Sequence, residues 1–194
     1  MVFAVATNNQ KKLKEIQRIL DSFGITAKTL RELGVNVEIE ENGTTFEENA
    51  VIKAKTIAQI TNLPAISDDS GLEVDALSGA PGVYTARFAG ENATDDENID
   101  KLLESLESVE KADRTARFVS AVCLYMPDGR HTVCRGTCEG WIGFERIGDG
   151  GFGYDPVFMV EETSYSQMTA EDKDAISHRG SALRQLKEQI EQFI

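Results

Sequence analysis

Hydrophobic and polar positions along the chain alternate between two periods, and together they predict interleaved strands and helices. Residues 2–6 form a short apolar run that predicts a first strand. Residues 11–23 predict a helix, because four large apolar side chains recur there at the spacing of one helical face. A second helix is predicted over 45–61, where Thr45 and Glu48 have the spacing of a capping box.

The rest of the chain continues this alternation. Further predicted elements are strands over 65–67, 72–77, 115–126, 132–140 and 157–160, and helices over 94–106 and from 177 onward. The turn at 127–129 joins two of these strands as a hairpin. We therefore expect an α/β fold with a mixed sheet. No repeat or linker divides residues 1–194, so one domain is expected.

Composition narrows the class of protein. The hydrophobic share of 41% is typical of a globular chain, and no apolar run approaches the length of a membrane span. A net charge of −13 argues against binding duplex nucleic acid or an anionic membrane, although a few lysines in a groove still suit a small anionic substrate. Three cysteines without zinc spacing, and an apolar start unlike a signal peptide, favour a reducing cytoplasm.

The first candidate for chemistry lies where the first strand gives way to a helix. It consists of Thr7, Asn8, Asn9, Gln10, Lys11 and Lys12. Free backbone N–H groups, the positive end of the helix dipole and two lysines suit a phosphate chain. The glycine frame of a P-loop is absent, and the alternative is a polar cap followed by solvated lysines.

The second candidate is acidic. Asp68 and Asp69 follow a buried apolar strand, in the run Ser67-Asp68-Asp69-Ser70-Gly71. With Glu40 or Glu41 they would make an all-oxygen site suited to Mg²⁺. The alternative is an Asx turn between two strands.

Three further features suggest nucleotide binding. Lys53 lies at the edge of the apolar stripe of its helix, where it could lean into a groove, although such lysines are usually solvated. The loop 150–156 flanks Phe152 with glycines, which would let the ring lie against a base while Asp155 accepts hydrogen bonds from it; the alternative is a tight turn.

The third feature is a group of donors near the carboxyl terminus, Lys173, His178 and Arg179. A 6-keto purine presents an acceptor where adenine presents an amino donor, so such donors would favour hypoxanthine or xanthine. The alternative for His178 is an ordinary surface cap. His131, at the head of a hairpin strand, is interpreted as structural.

Taken together and in this order, the motifs resemble the inosine triphosphate pyrophosphatase (Ham1-like) family from end to end. The matching segments are 7–12, 46–50 with Lys53, 67–72, 79–87, 152–156 and 177–180. The resemblance implies two lobes around a central substrate groove, with a long mixed sheet flanked by helices, and usually a homodimer. It also implies hydrolysis of ITP, dITP and XTP to the monophosphate and pyrophosphate, which cleanses the nucleotide pool.

The resemblance assigns roles by position. Residues 7–12 and Lys53 would hold the triphosphate, Asp69 would be the catalytic carboxylate and Asp68 would support it. Mg²⁺ would be shared by Asp69 with either Glu41 or Glu40, because the segment 35–41 is acidic at several positions. The residues that would contact the rest of the substrate are Ser70, Phe152, Gly153, Tyr154, Asp155, Lys173, His178 and Arg179.

Two rival functions remain open at this point. A Maf-like pyrophosphatase of related fold would act on pyrimidine or modified nucleotides, whereas the donors near His178 and the Phe152 loop favour purines. A nucleotide sensor without catalysis is the second rival. It has no use for the added carboxylates Asp68 and Asp69, since they only repel phosphate.

Overall fold

A computed structural model describes residues 1–7 and 10–194, without the side chains of residues 10, 11, 15 and 19. The strands are β1 (Val2–Val5), β2 (Thr26–Thr29), β3 (Ala65–Val74), β4 (Thr115–Tyr125), β5 (His131–Ile142), β6 (Phe158–Val160) and β7 (Thr163–Ser164). The helices are α1 (Gln10–Asp21), α2 (Phe46–Thr61), α3 (Asp95–Ser105), α4 (Ala170–Ile176) and α5 (His178–Gln189). Within the described ranges, none of the helices combines the length and apolar character that a membrane crossing requires.

The strands form one seven-stranded sheet in the order β2-β1-β3-β4-β5-β6-β7. β1 runs parallel to both β2 and β3, with Val5 opposite Thr29 on one side and Ile66 on the other. The pairs β5–β6 and β6–β7 are antiparallel. The predicted α/β fold with a mixed sheet flanked by helices is thereby confirmed.

One predicted boundary is wrong in an informative way. The sequence predicts two strands, 65–67 and 72–77, separated by a polar turn, but the structure has a single ten-residue strand, β3. The aspartates Asp68 and Asp69 lie within it, so they do not form an Asx turn. A buried strand can hold these carboxylates because cations from other elements pair with them. The local pattern of apolar and polar residues cannot reveal those partners, since they lie elsewhere in the chain.

Local signals at the helix starts are largely confirmed. Thr94 and Glu97 form the complete capping box at α3. At α2, the Thr45 hydroxyl accepts the Glu48 N–H at 3.1 Å, as predicted. The Glu48 carboxylate, however, accepts from the backbone N–H of Thr44, one residue earlier than a capping box requires.

The chain divides into two compact units, 1–69 with 120–136 and 179–194, and 70–119 with 137–178. In the first unit, strand alternation separates two apolar layers. Phe3, Val5 and Ile66 pack with residues of α1 and α5. Ala4 and Ala65 pack with Ile57 and Ala58 of α2. The first unit is therefore a three-layer sandwich, with α1 and α5 on one face of the sheet and α2 on the other.

The connections of β1 create a switch point within this unit. The chain leaves β1 through α1 to reach β2 on one side, and it returns through α2, on the opposite face, to reach β3 on the other side. Crevices outside the carboxyl ends of strands at such points are where α/β sheets bind ligands. The fold therefore directs attention to the end of β1 and the adjacent part of β3.

The second unit has its own core, built mainly on α3. Ile99 and Leu102 of this helix are buried against Leu72 and Val74 of β3, and Phe158 of β6 belongs to the same cluster. A rigid α3 matters below, because its first turn contacts a glycine-rich loop.

Candidate active site

Strand alternation places the two aspartates of β3 on opposite faces of the sheet. The Ser67 hydroxyl donates to the carbonyl of Ala50 in α2, so Ser67 and Asp69 face that helix. Asp68, between them, faces α1 and α5. Adjacent carboxylates therefore belong to two different clusters.

The first cluster surrounds Asp68, whose side chain is 1% exposed. Its Oδ2 atom accepts from Lys12 Nζ at 2.9 Å and from Arg179 Nε at 3.1 Å. Its other oxygen, Oδ1, is buried and has no hydrogen-bond partner among the residues that the structure describes. Burial opposes ionisation, but the two cations outweigh it and hold the pKa of Asp68 well below its usual range.

The second cluster surrounds Asp69. Lys53 Nζ donates to Asp69 Oδ1 at 3.0 Å and to Glu41 Oε2 at 2.9 Å, while Asn49 Nδ2 donates to Asp69 Oδ2 at 3.2 Å. Burial, together with the nearby Glu41 charge, raises the pKa of Asp69 although Lys53 opposes the shift. Burial lowers the pKa of Lys53, but its two carboxylate partners outweigh burial and raise it overall.

The prediction that Lys53 leans inward from the edge of its helix agrees with these contacts. Asn49, by contrast, was missed by sequence reasoning. Its signal is a buried amide next to the apolar positions Phe46 and Ala50, where a polar side chain needs a specific partner.

Members of both clusters line one cavity of about 550 Å³ at the carboxyl end of β1. Its wall includes Thr7, Lys12, Lys53 and Asp68, together with the segment 36–39. Three cations and three carboxylates meet in the two clusters, so the charges within the clusters balance, and Glu38 adds a further carboxylate to the cavity wall. An anion entering here meets the ammonium groups of Lys12 and Lys53.

The structure brings Thr7 and Lys12 to this cavity, as predicted for a phosphate-binding loop. Asn8 and Asn9 lie outside the described residues, and so do the side chains of Gln10 and Lys11. Their contact with phosphate therefore stays a prediction.

Of the two candidate metal-binding glutamates, Glu41 reaches the second cluster through Lys53. Glu40 is exposed. Among the residues that the structure describes, no three histidine, cysteine, aspartate or glutamate side chains gather into a protein-only metal site. The carboxylates of Asp69 and Glu41 approach the same ammonium group, and two carboxylates completed by substrate phosphate oxygens are the donor set that Mg²⁺ usually takes in proteins.

The second unit carries the glycine-rich loop. Asp155 Oδ2 accepts from the Phe152 N–H at 2.9 Å and also from Lys173 Nζ. Gly151 has φ +79°, and a Cβ there would clash with the Asp155 carboxylate, so only glycine fits. The Asp155 carboxylate therefore restrains the loop through a hydrogen bond within it.

Aromatic and cationic side chains meet at this loop. Lys173 Nζ lies 5.4 Å from the ring centroid of Phe152, which is 37% exposed. Tyr154 is buried, and its hydroxyl donates to the Thr85 carbonyl at 2.8 Å. Burial raises the pKa of Tyr154, so this hydroxyl remains a neutral donor. Of the residues predicted to contact the base, Phe152 therefore has a partly accessible ring, and Lys173 places a positive charge beside that ring.

The remaining predicted residues lie in different environments. His178 is buried, not a surface cap, and its ring stacks on Phe118 with centroids 4.9 Å apart. Arg179 contacts Asp68 in the first cluster. Ser70 lies within β3, next to Asp69. The structure thus groups Lys173 with the Phe152 loop, and it groups Arg179 with the carboxylate at the cavity.

Comparison with known proteins agrees with this geometry. A family model described as the Ham1 family matches residues 3–189. Proteins named dITP/XTP pyrophosphatase are similar over nearly their whole length. The one from Bacillus anthracis is 46% identical over 97% of this chain and 96% of its own, and that of Vibrio parahaemolyticus is 49% identical over 96% and 94%.

Solved structures show the same similarity. A HAM1 protein from Coxiella burnetii has a TM-score of 0.92 at 42% identity, covering 99% of both chains. The Ham1 protein of Staphylococcus aureus has a TM-score of 0.91 at 40% identity, covering 100% of both. With the family model spanning almost every residue, and with the fold and motifs in agreement, the chain belongs to the Ham1 family.

Proposed function

We propose that this protein is a nucleoside triphosphate pyrophosphatase that hydrolyses ITP, dITP and XTP to the monophosphate and pyrophosphate, and so cleanses the nucleotide pool. The observation that carries the proposal is that Asp68 and Lys12 line one cavity at the carboxyl end of β1 together with Lys53 and Glu41, and that Lys53 is paired with Asp69. The names of the relatives, with 46% and 49% identity, support dITP and XTP as substrates.

In this proposal the first unit holds the phosphates. Lys12 and Lys53 donate to phosphate oxygens, and Thr7 adds a hydroxyl at the start of α1, where backbone N–H groups favour anions. Asp68 fixes Lys12 and Arg179 in place through its Oδ2 atom. Their positive charge also stabilises pyrophosphate as it leaves.

Asp69 is the proposed general base. In the chain without a bound metal, burial and the Glu41 charge raise its pKa. Lys53 and Asn49 each bond one of its oxygens, which fixes the carboxylate while leaving further lone pairs for a water molecule. Water activated in this way would attack the α-phosphate, and the bond to the β-phosphate would break.

Mg²⁺ is the proposed cofactor, and Asp69 and Glu41 are the residues that would hold it. When bound, Mg²⁺ supplies positive charge that neutralises the phosphate oxygens. The two carboxylates already approach one cationic group, Lys53, which supports their assignment to a cation.

Contact with the base is proposed for the loop that carries Phe152. Phe152 offers a partly exposed ring for stacking, with Gly153 and Tyr154 completing the loop and Lys173 beside it as a donor. A donor facing the 6-oxygen of hypoxanthine is satisfied, whereas the same donor facing the amino group of adenine is not. Contacts of Asp155, His178, Arg179 and Ser70 with the substrate are part of this proposal.

We also propose a homodimer, on the basis of the family resemblance, and a cytoplasmic location, on the basis of the cysteines. The three free, buried cysteines support a reducing compartment. Light scattering on the purified chain at several concentrations tests the dimer. A mass equal to one chain throughout would contradict it.

A panel of nucleoside triphosphates tests the function. With Mg²⁺ present, dITP and XTP are expected to release pyrophosphate and not phosphate, and dATP to be a poor substrate. Faster turnover of dTTP or UTP would identify a pyrimidine enzyme instead, and tight ITP binding without pyrophosphate release would identify a sensor. Asp69→Asn is expected to abolish turnover while the fold survives, and a near-normal rate would refute the role of Asp69.

A further inference from the structure

The loop 146–155 contains an unusual number of glycines in the left-handed region. Gly148, Gly151 and Gly153 have φ values of +84°, +79° and +58°. Glycines give a loop many alternative conformations when it is not held, and ordering them on ligand binding costs affinity. Within the loop, Asp155 Oδ2 accepts from the Phe152 N–H, and external contacts supply the remaining restraints on its shape.

On one side the loop is held by residues that follow it in the chain. The Ser164 hydroxyl donates to the Ile147 carbonyl and the Ser166 hydroxyl to the Gly150 carbonyl, both at 2.6 Å. These bonds fix the first half of the loop. Neither of them reaches the peptide that joins Phe152 to Gly153.

On the other side the first turns of α3 hold both ends of the loop. Arg146 Nη2 donates to the Asp96 carbonyl at 3.0 Å and to Asp100 Oδ1 at 2.8 Å. The Gly153 N–H donates to Asp95 Oδ2 at 2.7 Å. The amide held by Asp95 is the one that directly follows Phe152.

The helix that carries Asp95 is a firm support. Its capping box is complete, and Ile99 and Leu102 are buried in the core. The Asn98 side chain further ties α3 to the preceding segment, accepting from the Ala89 N–H at 2.8 Å. A carboxylate in the first turn is also favoured by the helix dipole.

We infer that Asp95 is a positioning residue for purine binding, because it fixes the Phe152–Gly153 peptide and thereby the orientation of the Phe152 ring. The inference rests on the proposed function and adds a residue to it. Asp95 does not touch the substrate. It reduces the number of loop conformations that must be ordered when a purine stacks on Phe152.

The expected effect is on KM and not on kcat. Loss of one charge-assisted hydrogen bond at an exposed site corresponds to about fivefold in binding. The hydrogen bonds that hold Asp69 come from Lys53 and Asn49, so removal of the Asp95 carboxylate is not expected to change kcat. Asp95→Ala is therefore expected to raise the KM for dITP by about fivefold at unchanged kcat.

The test compares three variants by pyrophosphate release from dITP. Glu104→Ala is the matched control, because it removes an exposed charge from the same helix and leaves the contacts of Arg146 with α3 in place. Asp95→Asn is the conservative variant, since its amide oxygen still accepts from Gly153. We expect a raised KM only for Asp95→Ala, and equal KM values for Asp95→Ala and Glu104→Ala overturn the inference.

A double-mutant cycle shows whether Asp95 acts through the ring. In a Phe152→Ala background, Asp95→Ala is expected to raise KM no further, because the ring whose position it fixes is gone. Additive effects in the cycle overturn the inference even if the single variant is impaired. If the unaltered protein releases no pyrophosphate from dITP, the proposed function fails, which is a different result from a normal enzyme insensitive to Asp95.

Discussion

Replacing Asp68 by Asn removes one buried charge while nearly preserving the shape of the side chain. The native carboxylate is 1% exposed and accepts from both Lys12 and Arg179 on one oxygen. Asn can accept a hydrogen bond from one of them, but it removes the negative charge that both cations contact. Arg179 is the more affected partner, because its side chain is only 5% exposed whereas that of Lys12 is 19% exposed and can turn toward solvent.

Breaking a buried ion pair from one side typically costs about 3–5 kcal/mol. Since Asn keeps a hydrogen bond and Lys12 can be rehydrated, we expect Asp68→Asn to lower the free energy of unfolding by about 2–4 kcal/mol. Urea unfolding followed by circular dichroism measures this loss. The matched control is Asp128→Asn, which breaks the exposed pair with Arg130 and is expected to cost less than about 1 kcal/mol.

A second variant separates lost charge from lost packing. Asp68→Asn combined with Lys12→Met also removes one of the two cations that contact the Asp68 carboxylate, so part of the lost stability is expected to return. A loss for Asp68→Asn no larger than that of the exposed control would refute the reasoning. It would mean that the two cations have adequate partners without the carboxylate.

Three other outcomes follow from the described geometry. Lys53→Met is expected to lower kcat/KM for dITP by about 100-fold, because it removes the cation shared by two carboxylates. The control is Lys55→Met, which changes an exposed lysine of α2 and is expected to leave kcat/KM near normal. Gly151→Ala is expected to raise the KM for dITP, since the added Cβ meets the Asp155 carboxylate and φ is positive; an unchanged KM would show that the loop adapts. Burial raises the pKa of the Cys123 thiol to about 12, so a thiol reagent at pH 8 is expected to leave it unlabelled until denaturant is added, as mass spectrometry of the native and unfolded protein would show.

The sequence predicted features that depend on neighbouring residues. Periodicity was sufficient for α1, α2 and α3. The helical angle of Lys53 indicated that it could lean inward, but it left a solvated position open. The burial of Asp68 could not be predicted from neighbouring residues. One of its partners, Arg179, lies 111 residues later in the chain, and a window of a few residues contains no trace of that pairing.

The base-reading residues show the same limit. Lys173, His178 and Arg179 are close in sequence, so the simplest interpretation gathers them around one ligand. In the structure Lys173 contacts Asp155, His178 stacks on Phe118 and Arg179 contacts Asp68. Side chains from a helix junction leave in different directions, and only the packed fold decides which of them share a neighbour.

The alternation of β3 has a consequence for changes in chain length. Deleting a single residue before Asp68 would carry every following side chain to the opposite face of the sheet. Asp68 would then face α2, and Asp69 would be presented to Lys12 and Arg179. Each carboxylate would then lie beside the cations that pair with the other one in the native strand. We therefore expect the site to be lost after any insertion or deletion of an odd number of residues in this strand before Asp68.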